Sequence, residues 1–164
     1  MNRKILFTTV IAILVLVLSA CTTAAPAATT NNSDPVVEFT GTKLNLNTVT
    51  GNELLAAIPS FPSRMVREFQ EYRPYVSIQQ FRQEIGRYVD DAQIAEYEKY
   101  VYVPIAVNDS DSETLQQIPG LDSTEADSLI SGRPYASAET FLAQLSGFVS
   151  ADELEIAKSY LGDN

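Results

Sequence analysis

The chain has 164 residues, and its 21 acidic side chains outnumber the 11 basic ones, so its formal net charge is −10. This negative charge favours solubility and opposes binding to polyanions. A single cysteine excludes an intrachain disulfide bond, and the absence of histidine removes the commonest metal ligand and general base from consideration.

The first twenty residues have the pattern of a secretory signal peptide. Two basic residues precede the apolar run 5–18, which is short for a membrane-spanning helix because such a helix needs roughly 18 or more apolar residues. We therefore predict a signal peptide over residues 1–20. The run ends in Leu-Ser-Ala-Cys, which resembles a bacterial lipobox. That resemblance implies cleavage before Cys21 and acylation of its sulfur and its new amine.

A lipid on Cys21 makes the membrane the first predicted partner. Two or more acyl chains anchor a protein stably, so we expect an exported protein that is held on the cell membrane and faces away from the cytoplasm. An ordinary signal peptide followed by an unmodified cysteine is the alternative. Residues 21–40 are mainly small or polar and include two prolines. Such a composition cannot form a packed core, so we predict a flexible linker after the lipidated cysteine.

The remainder of the chain contains an internal repeat with an offset of sixty residues. The pattern Arg-Pro-Tyr-x-Ser-x-x-x-Phe begins at Arg73 and again at Arg133, and an Ile-Pro pair precedes it by the same distance in both places. The match needs no gap over residues 50–101. A fixed period of this kind indicates repeated structural units. We predict two related units, residues 41–103 and 104–164.

Each predicted unit contains signals for four short helices. The signals are polar residues that can accept hydrogen bonds from the first backbone N–H groups of a helix, in most cases followed three places later by Glu or Gln. The predicted pairs are Thr50/Glu53, Ser77/Gln80, Asp90/Gln93, Ser110/Glu113, Asp122/Glu125, Ser137/Thr140 and Ser150/Glu153. Apolar residues recur at helical spacing between them. We therefore predict an all-α fold, with a short extended connector over residues 101–107.

The predicted core is formed by large apolar side chains of both units. These residues are Ile58, Phe69, Phe81, Ile85, Ile94, Ile118, Leu129, Phe141, Leu145 and Leu154. The acidic run at residues 109–113 resembles the start of a calcium-binding loop. It lacks the required glycine and the closing glutamate of such a loop, and helix capping accounts for it better.

Both units resemble the helix-hairpin-helix domain of the competence protein ComEA. The matching residues are Leu44-Asn45-Leu46-Asn47-Thr48, Ile58-Pro59 and Arg73-Pro74-Tyr75, then Val107-Asn108, Ile118-Pro119-Gly120 and Arg133-Pro134-Tyr135. The PsbU subunit of photosystem II has a similar fold and binds protein rather than nucleic acid. The resemblance therefore implies two tandem helix-hairpin-helix units, and it leaves open whether they bind DNA or protein.

DNA binding in that family depends on glycines in the hairpin, which let backbone N–H groups at a helix start approach a phosphate. The first hairpin of this chain has Ser60 and Pro62 instead of glycines, and the second places Asp122 where the anion would bind. The resemblance implies that any phosphate contact belongs to the first unit. The candidate residues are Ser60, Ser63, Arg64, Arg67, Arg82 and Arg87. The alternative is that these arginines are solvated charges on helix faces, paired with Glu68, Glu71 and Glu84.

Charge also separates the two units. Residues 41–103 contain seven basic and eight acidic side chains, whereas residues 104–164 contain two and eleven. DNA affinity comes mainly from basic side chains, so the main hypothesis is a non-enzymatic binding or scaffold module with a protein partner. The alternative is weak, sequence-independent binding of double-stranded DNA, for capture or uptake, through the first unit. The sequence indicates no cofactor, metal or small-molecule substrate.

Overall fold

The computed structural model describes residues 42–162. The predicted signal peptide 1–20, and Cys21 with the predicted linker 21–40, lie outside the described residues. Within the described range, no helix has the length and apolar character needed to cross a membrane.

The described part of the chain is mainly helical, with eight helices and two short strands. The helices are α1 (Gly51–Ala57), α2 (Ser63–Glu71), α3 (Ile78–Ile85), α4 (Asp91–Tyr97), α5 (Ser112–Leu115), α6 (Ser123–Ser131), α7 (Ala138–Leu145) and α8 (Ala151–Tyr160). The strands are β1 (Leu44–Asn45) and β2 (Val101–Tyr102). The helical character predicted from the capping signals is confirmed.

Six of the seven predicted helix starts are confirmed as N-caps. They are Thr50, Ser77, Asp90, Asp122, Ser137 and Ser150. At three of them the acidic residue three places on completes a reciprocal capping box. These side chains satisfy backbone N–H groups that have no partner inside the helix, so the local sequence sets where each helix begins.

The predicted cap at Ser110 is wrong. Helix α5 begins one residue later, and its N-cap is Asp111, which accepts from the Thr114 N–H at 2.7 Å. Ser110 is buried, and its hydroxyl accepts from the Ala106 N–H at 2.9 Å. The Ser110 side chain faces the interior, so the half-buried Asp111 carboxylate takes the capping position.

The chain on both sides of residue 103 is extended, and it closes each half of the fold on itself. Strand β2 pairs in parallel with β1, with Leu44 opposite Val101, and an isolated parallel bridge joins Ile105 to Leu161. The extended connector is therefore confirmed for β2. Its pairing was not predicted, because a strand of two residues has no periodicity that identifies its partner.

Two hydrophobic clusters form the core, one in the first half (residues 42–103) and one in the second half (residues 104–162), with Tyr102 joining the second cluster. Nine of the ten predicted core residues are buried. Leu154 is only partly buried, because Ala157 and Tyr160 take the buried face of α8. Each half therefore contains its own packed interior.

Buried polar contacts join the two halves. The backbone N–H of Ile78 donates to the hydroxyl of Thr114 at 3.0 Å, and Thr114 is fully buried. The side-chain amide of Gln117 accepts from the N–H of Val103 at 2.8 Å and donates to its carbonyl at 3.1 Å. Buried polar groups are costly to leave unpaired, so these contacts hold the halves in one arrangement.

Candidate functional site

The repeated Arg-Pro-Tyr motif ties a loop to the start of each half. In the first half, the Asn47 side chain donates to the Tyr75 carbonyl at 2.9 Å and accepts from the Tyr75 N–H at 2.7 Å. The Arg73 guanidinium donates to the Val49 carbonyl at 2.6 Å. Arg73 therefore has a structural role, since it joins the loop to the Val49 backbone.

The second half repeats the same clamp. Asn108 donates to the Tyr135 carbonyl at 3.0 Å and accepts from the Tyr135 N–H at 2.7 Å. The Arg133 guanidinium donates to the carbonyls of Val107, at 2.9 Å, and Ser110, at 2.6 Å. The most specific repeated motif of the sequence thus has a structural role, since both arginines donate to the protein's own backbone.

The two hairpins have the same turn. Ser60 has a φ of 55°, and Gly120, sixty residues later, has a φ of 79°. In both turns the next residue donates back to an isoleucine carbonyl: Phe61 to Ile58 and Leu121 to Ile118, each at 3.2 Å. Ser60 therefore occupies a left-handed position that favours glycine, so the turn survives although its glycine is absent.

The start of α2 lacks a side-chain cap. Pro62 is the N-cap, and it makes no capping hydrogen bond. Within residues 42–162, the backbone N–H groups of Ser63 and Arg64 have no acceptor, and both side chains are exposed. Such N–H groups, with the positive end of the helix dipole, favour an anion.

The start of α6 is occupied by its own carboxylate. Asp122 accepts from the Glu125 N–H at 2.9 Å, and Glu125 accepts from the Asp122 N–H at 3.0 Å. This capping box uses donors that a phosphate would need, and its two carboxylates repel an anion.

Arg67 lies on α2 beside two glutamates. Its guanidinium is 2.8 Å from the carboxylate of Glu68 and 4.0 Å from that of Glu71. The hydrogen bond from Arg67 lowers the pKa of Glu68, and one from the Tyr88 hydroxyl contributes in the same direction. The charge of Arg67 is therefore largely balanced within its own helix.

Arg82 joins the two halves. Its guanidinium is 2.6 Å from the carboxylate of Glu98, in the first half, and 2.9 Å from that of Glu113, in the second. These interactions raise the pKa of Arg82, with the Glu98 hydrogen bond as the main cause. Its geometry is that of a structural link rather than of a nucleic-acid contact.

Arg87 follows α3 and is also paired. Its guanidinium is 2.8 Å from the carboxylate of Glu84 and lies 5.8 Å from the centre of the Tyr72 ring. Among the described residues, Arg64 has no ion pair. The structure thus brings Ser60, Ser63, Arg64 and Arg67 together around the start of α2, and it assigns Arg82 to the junction between the halves.

Lys43 is a functional candidate that the sequence did not identify. It lines a cavity of about 290 Å³ at the junction, together with Arg82, Glu98 and Glu113. Burial lowers the pKa of Lys43, and the nearby charge of Glu98 opposes that shift. Two basic and two acidic side chains balance each other here, so the cavity has no net preference for an anion.

Within residues 42–162, no group of three or more histidine, cysteine, aspartate or glutamate side chains is placed to hold a metal ion.

Comparison of the chain with models of protein families, with curated proteins and with solved structures found no match.

Proposed function

We propose that this chain is a non-enzymatic, membrane-anchored lipoprotein that works outside the cytoplasm as a binding or scaffold module, with a protein as its partner. In this proposal its two halves are tandem helix-hairpin-helix units, of which the first lacks both phosphate-binding glycines and the second keeps only Gly120. The lipid on Cys21 holds the module at the membrane, and residues 21–40 space it from the bilayer.

The proposal depends mainly on the pairing of arginine side chains with carboxylates. Arg67, Arg82 and Arg87 are all paired with carboxylates, while Asp122 caps α6. A DNA-binding surface needs basic side chains that are free to displace counterions. Most basic side chains of the described residues are instead paired with carboxylates or donate to the protein's own backbone, and this supports a protein partner.

Membrane attachment is tested separately through Cys21. Radioactive palmitate should label the full chain but not a Cys21→Ala variant, and only the labelled chain should remain with membranes after washing with salt. Equal labelling of both chains would remove the anchor from the proposal. The result does not depend on what the folded part binds.

Binding of double-stranded DNA is the second candidate function. It is favoured by the start of α2. Among the described residues, the N–H groups of Ser63 and Arg64 have no acceptor there, and the exposed Arg64 side chain has no ion pair. One phosphate at this helix start would be held by backbone donors and by the charge of Arg64. Such a contact carries no sequence information.

Titration of the full chain in detergent with labelled duplex DNA separates the two functions. We expect no binding at moderate salt. Binding that falls steeply with salt, that disappears in Arg64→Ala/Arg67→Ala and that persists in Lys99→Ala/Lys158→Ala would replace the protein proposal with the DNA candidate. The control pair removes the same charge from two exposed lysines that are paired with glutamates. No binding even at low salt would eliminate the DNA candidate.

A further inference from the structure

A groove of about 630 Å³ lies where the two halves meet. Its walls include the apolar side chains of Pro74 and Val76 from the first half and of Pro104 and Ala106 from the second. Val76 is 69% exposed, the largest exposure among the big apolar side chains of the described residues. The volume falls within the range of about 300–1,000 Å³ that is typical of ligand sites.

Two carboxylates line this groove, and no basic side chain does. Asp109 is exposed, and Asp111 uses one oxygen to cap α5 and has the other free. Within residues 42–162 neither aspartate has an ion pair. The groove therefore combines apolar walls with unbalanced negative charge.

Hydrogen bonds fix the walls before any partner arrives. The Tyr75 backbone is clamped by Asn47 on one side. On the other side the Ala106 N–H donates to Ser110, and the Gly162 N–H donates to the Ile105 carbonyl at 2.9 Å. A preformed site loses little free energy to ordering when it binds.

Charge excludes several occupants. Residues 21–40, the predicted linker, contain Asp34 and Glu38 and no lysine or arginine, so the chain's own linker has the wrong charge. A second copy would bring a net negative charge against an acidic site, and DNA would bring phosphates. Each of these would set like charges against Asp109 and Asp111.

We infer that this groove binds an extended segment of a partner protein in which a lysine or arginine lies next to apolar residues. The apolar side chains contact Val76, Pro104 and Ala106, and the basic group pairs with Asp109 and Asp111. This inference rests on the proposed protein-binding function and gives it a place on the surface and a partner chemistry.

Peptide display provides the test. The full chain in detergent selects binders from a random peptide library, and the dissociation constant of the best peptide is measured by fluorescence anisotropy. We expect selected peptides with a basic residue beside apolar ones. Asp109→Asn/Asp111→Asn should weaken binding about tenfold, because two ion pairs at a partly exposed site are lost. Asparagine still caps α5, so the fold is retained.

The matched control is Asp127→Asn/Asp152→Asn, which removes two exposed carboxylates of the second half that do not line the groove. It should leave the dissociation constant unchanged. In a separate variant, Val76→Lys should weaken binding, because the new positive charge repels the basic group of the peptide. Equal weakening by the groove pair and the control pair overturns the groove but leaves protein binding standing. Failure to select any peptide also overturns it, and DNA binding in the separate titration would overturn the proposed function as well.

Discussion

The two halves of the described chain share a clamp, a hairpin turn and a closing strand contact. They differ in what satisfies the backbone N–H groups at the start of the helix that follows the hairpin turn. At the first hairpin, the N–H groups that open α2 have no acceptor; at the second, Asp122 and Glu125 satisfy the start of α6. The first half therefore keeps an open helix start, and the second half uses its acidic residues to close one. A repeat can thus keep its geometry while its surface chemistry diverges.

The two halves also differ in their interiors, at the equivalent residues Tyr75 and Tyr135. The Tyr135 hydroxyl donates to the Leu129 carbonyl at 2.7 Å and contacts the Gln144 side chain at 3.0 Å. The equivalent Tyr75 hydroxyl is buried and has no partner in the part of the chain that the structure describes, and burial raises the pKa of that phenol. Glu84 takes the place of Gln144 and pairs with Arg87. Four predictions test how far these differences divide the two halves.

The largest expected difference concerns the arginine clamp. Arg133→Met should lower the free energy of unfolding by about 3 kcal/mol, and Arg73→Met by about 1.5 kcal/mol, because a hydrogen bond to a charged group contributes roughly 1.5 kcal/mol or more. Arg133 donates to two carbonyls and Arg73 to one, while the buried Arg73 Nε has no acceptor within residues 42–162. Urea unfolding measures both, and equal losses would contradict the difference between the clamps.

At the left-handed position of the hairpin turn, removing the glycine of the second half should lower stability, and introducing a glycine in the first half should raise it. Gly120→Ala should destabilise by about 2 kcal/mol, since a side chain at positive φ is strained; its Cβ would also lie 2.5 Å from the Glu153 carboxylate. Ser60→Gly should stabilise by about 0.5 kcal/mol, because relief of strain slightly exceeds the entropy that glycine adds to the unfolded chain. Thermal melting shows the sign of each change. A Ser60→Gly variant that melts earlier would show that the turn is not strained.

The two buried tyrosines should respond differently to loss of the hydroxyl. Tyr135→Phe should cost about 1 kcal/mol, the typical net contribution of a hydrogen bond. Tyr75→Phe should leave stability unchanged or raise it slightly, because an unpartnered buried hydroxyl is removed. Denaturant unfolding with an unchanged slope measures both values. Similar losses at the two positions would mean that Tyr75 has a partner.

The smallest effect is expected at the open helix start. Pro62→Asp supplies the cap that α2 lacks and should stabilise the chain by about 0.5 kcal/mol, the lower end of the range for such caps. Pro62→Ala is the control, which removes the ring without adding an acceptor and should not stabilise. If both variants behave alike in urea unfolding, the free N–H groups of α2 are not a source of instability.

Much of the local structure could be predicted from short-range patterns. Capping residues such as Thr50 and Asp122 act within four positions of themselves, so their effect is visible in the sequence. The predicted N-cap at Ser110 was wrong because its hydroxyl faces inward and accepts from the Ala106 N–H. Burial of this kind depends on contacts outside the local sequence. Arg67 and Arg87 pair with carboxylates one to four residues away, as helical spacing allows. Arg82 could not be assigned in this way, because its partners Glu98 and Glu113 are 16 and 31 residues away.

The amino-acid sequence was sufficient to predict where most helices begin, the sixty-residue repeat, most of the core residues and the difference in charge between residues 41–103 and 104–164. Each of these follows from neighbours along the chain or from periodic burial. The loops held by Arg73 and Arg133, the link that Arg82 makes between the halves and the groove between them are visible only in the folded chain. Those features require residues that are distant in sequence to meet, and their meeting depends on packing of the whole chain.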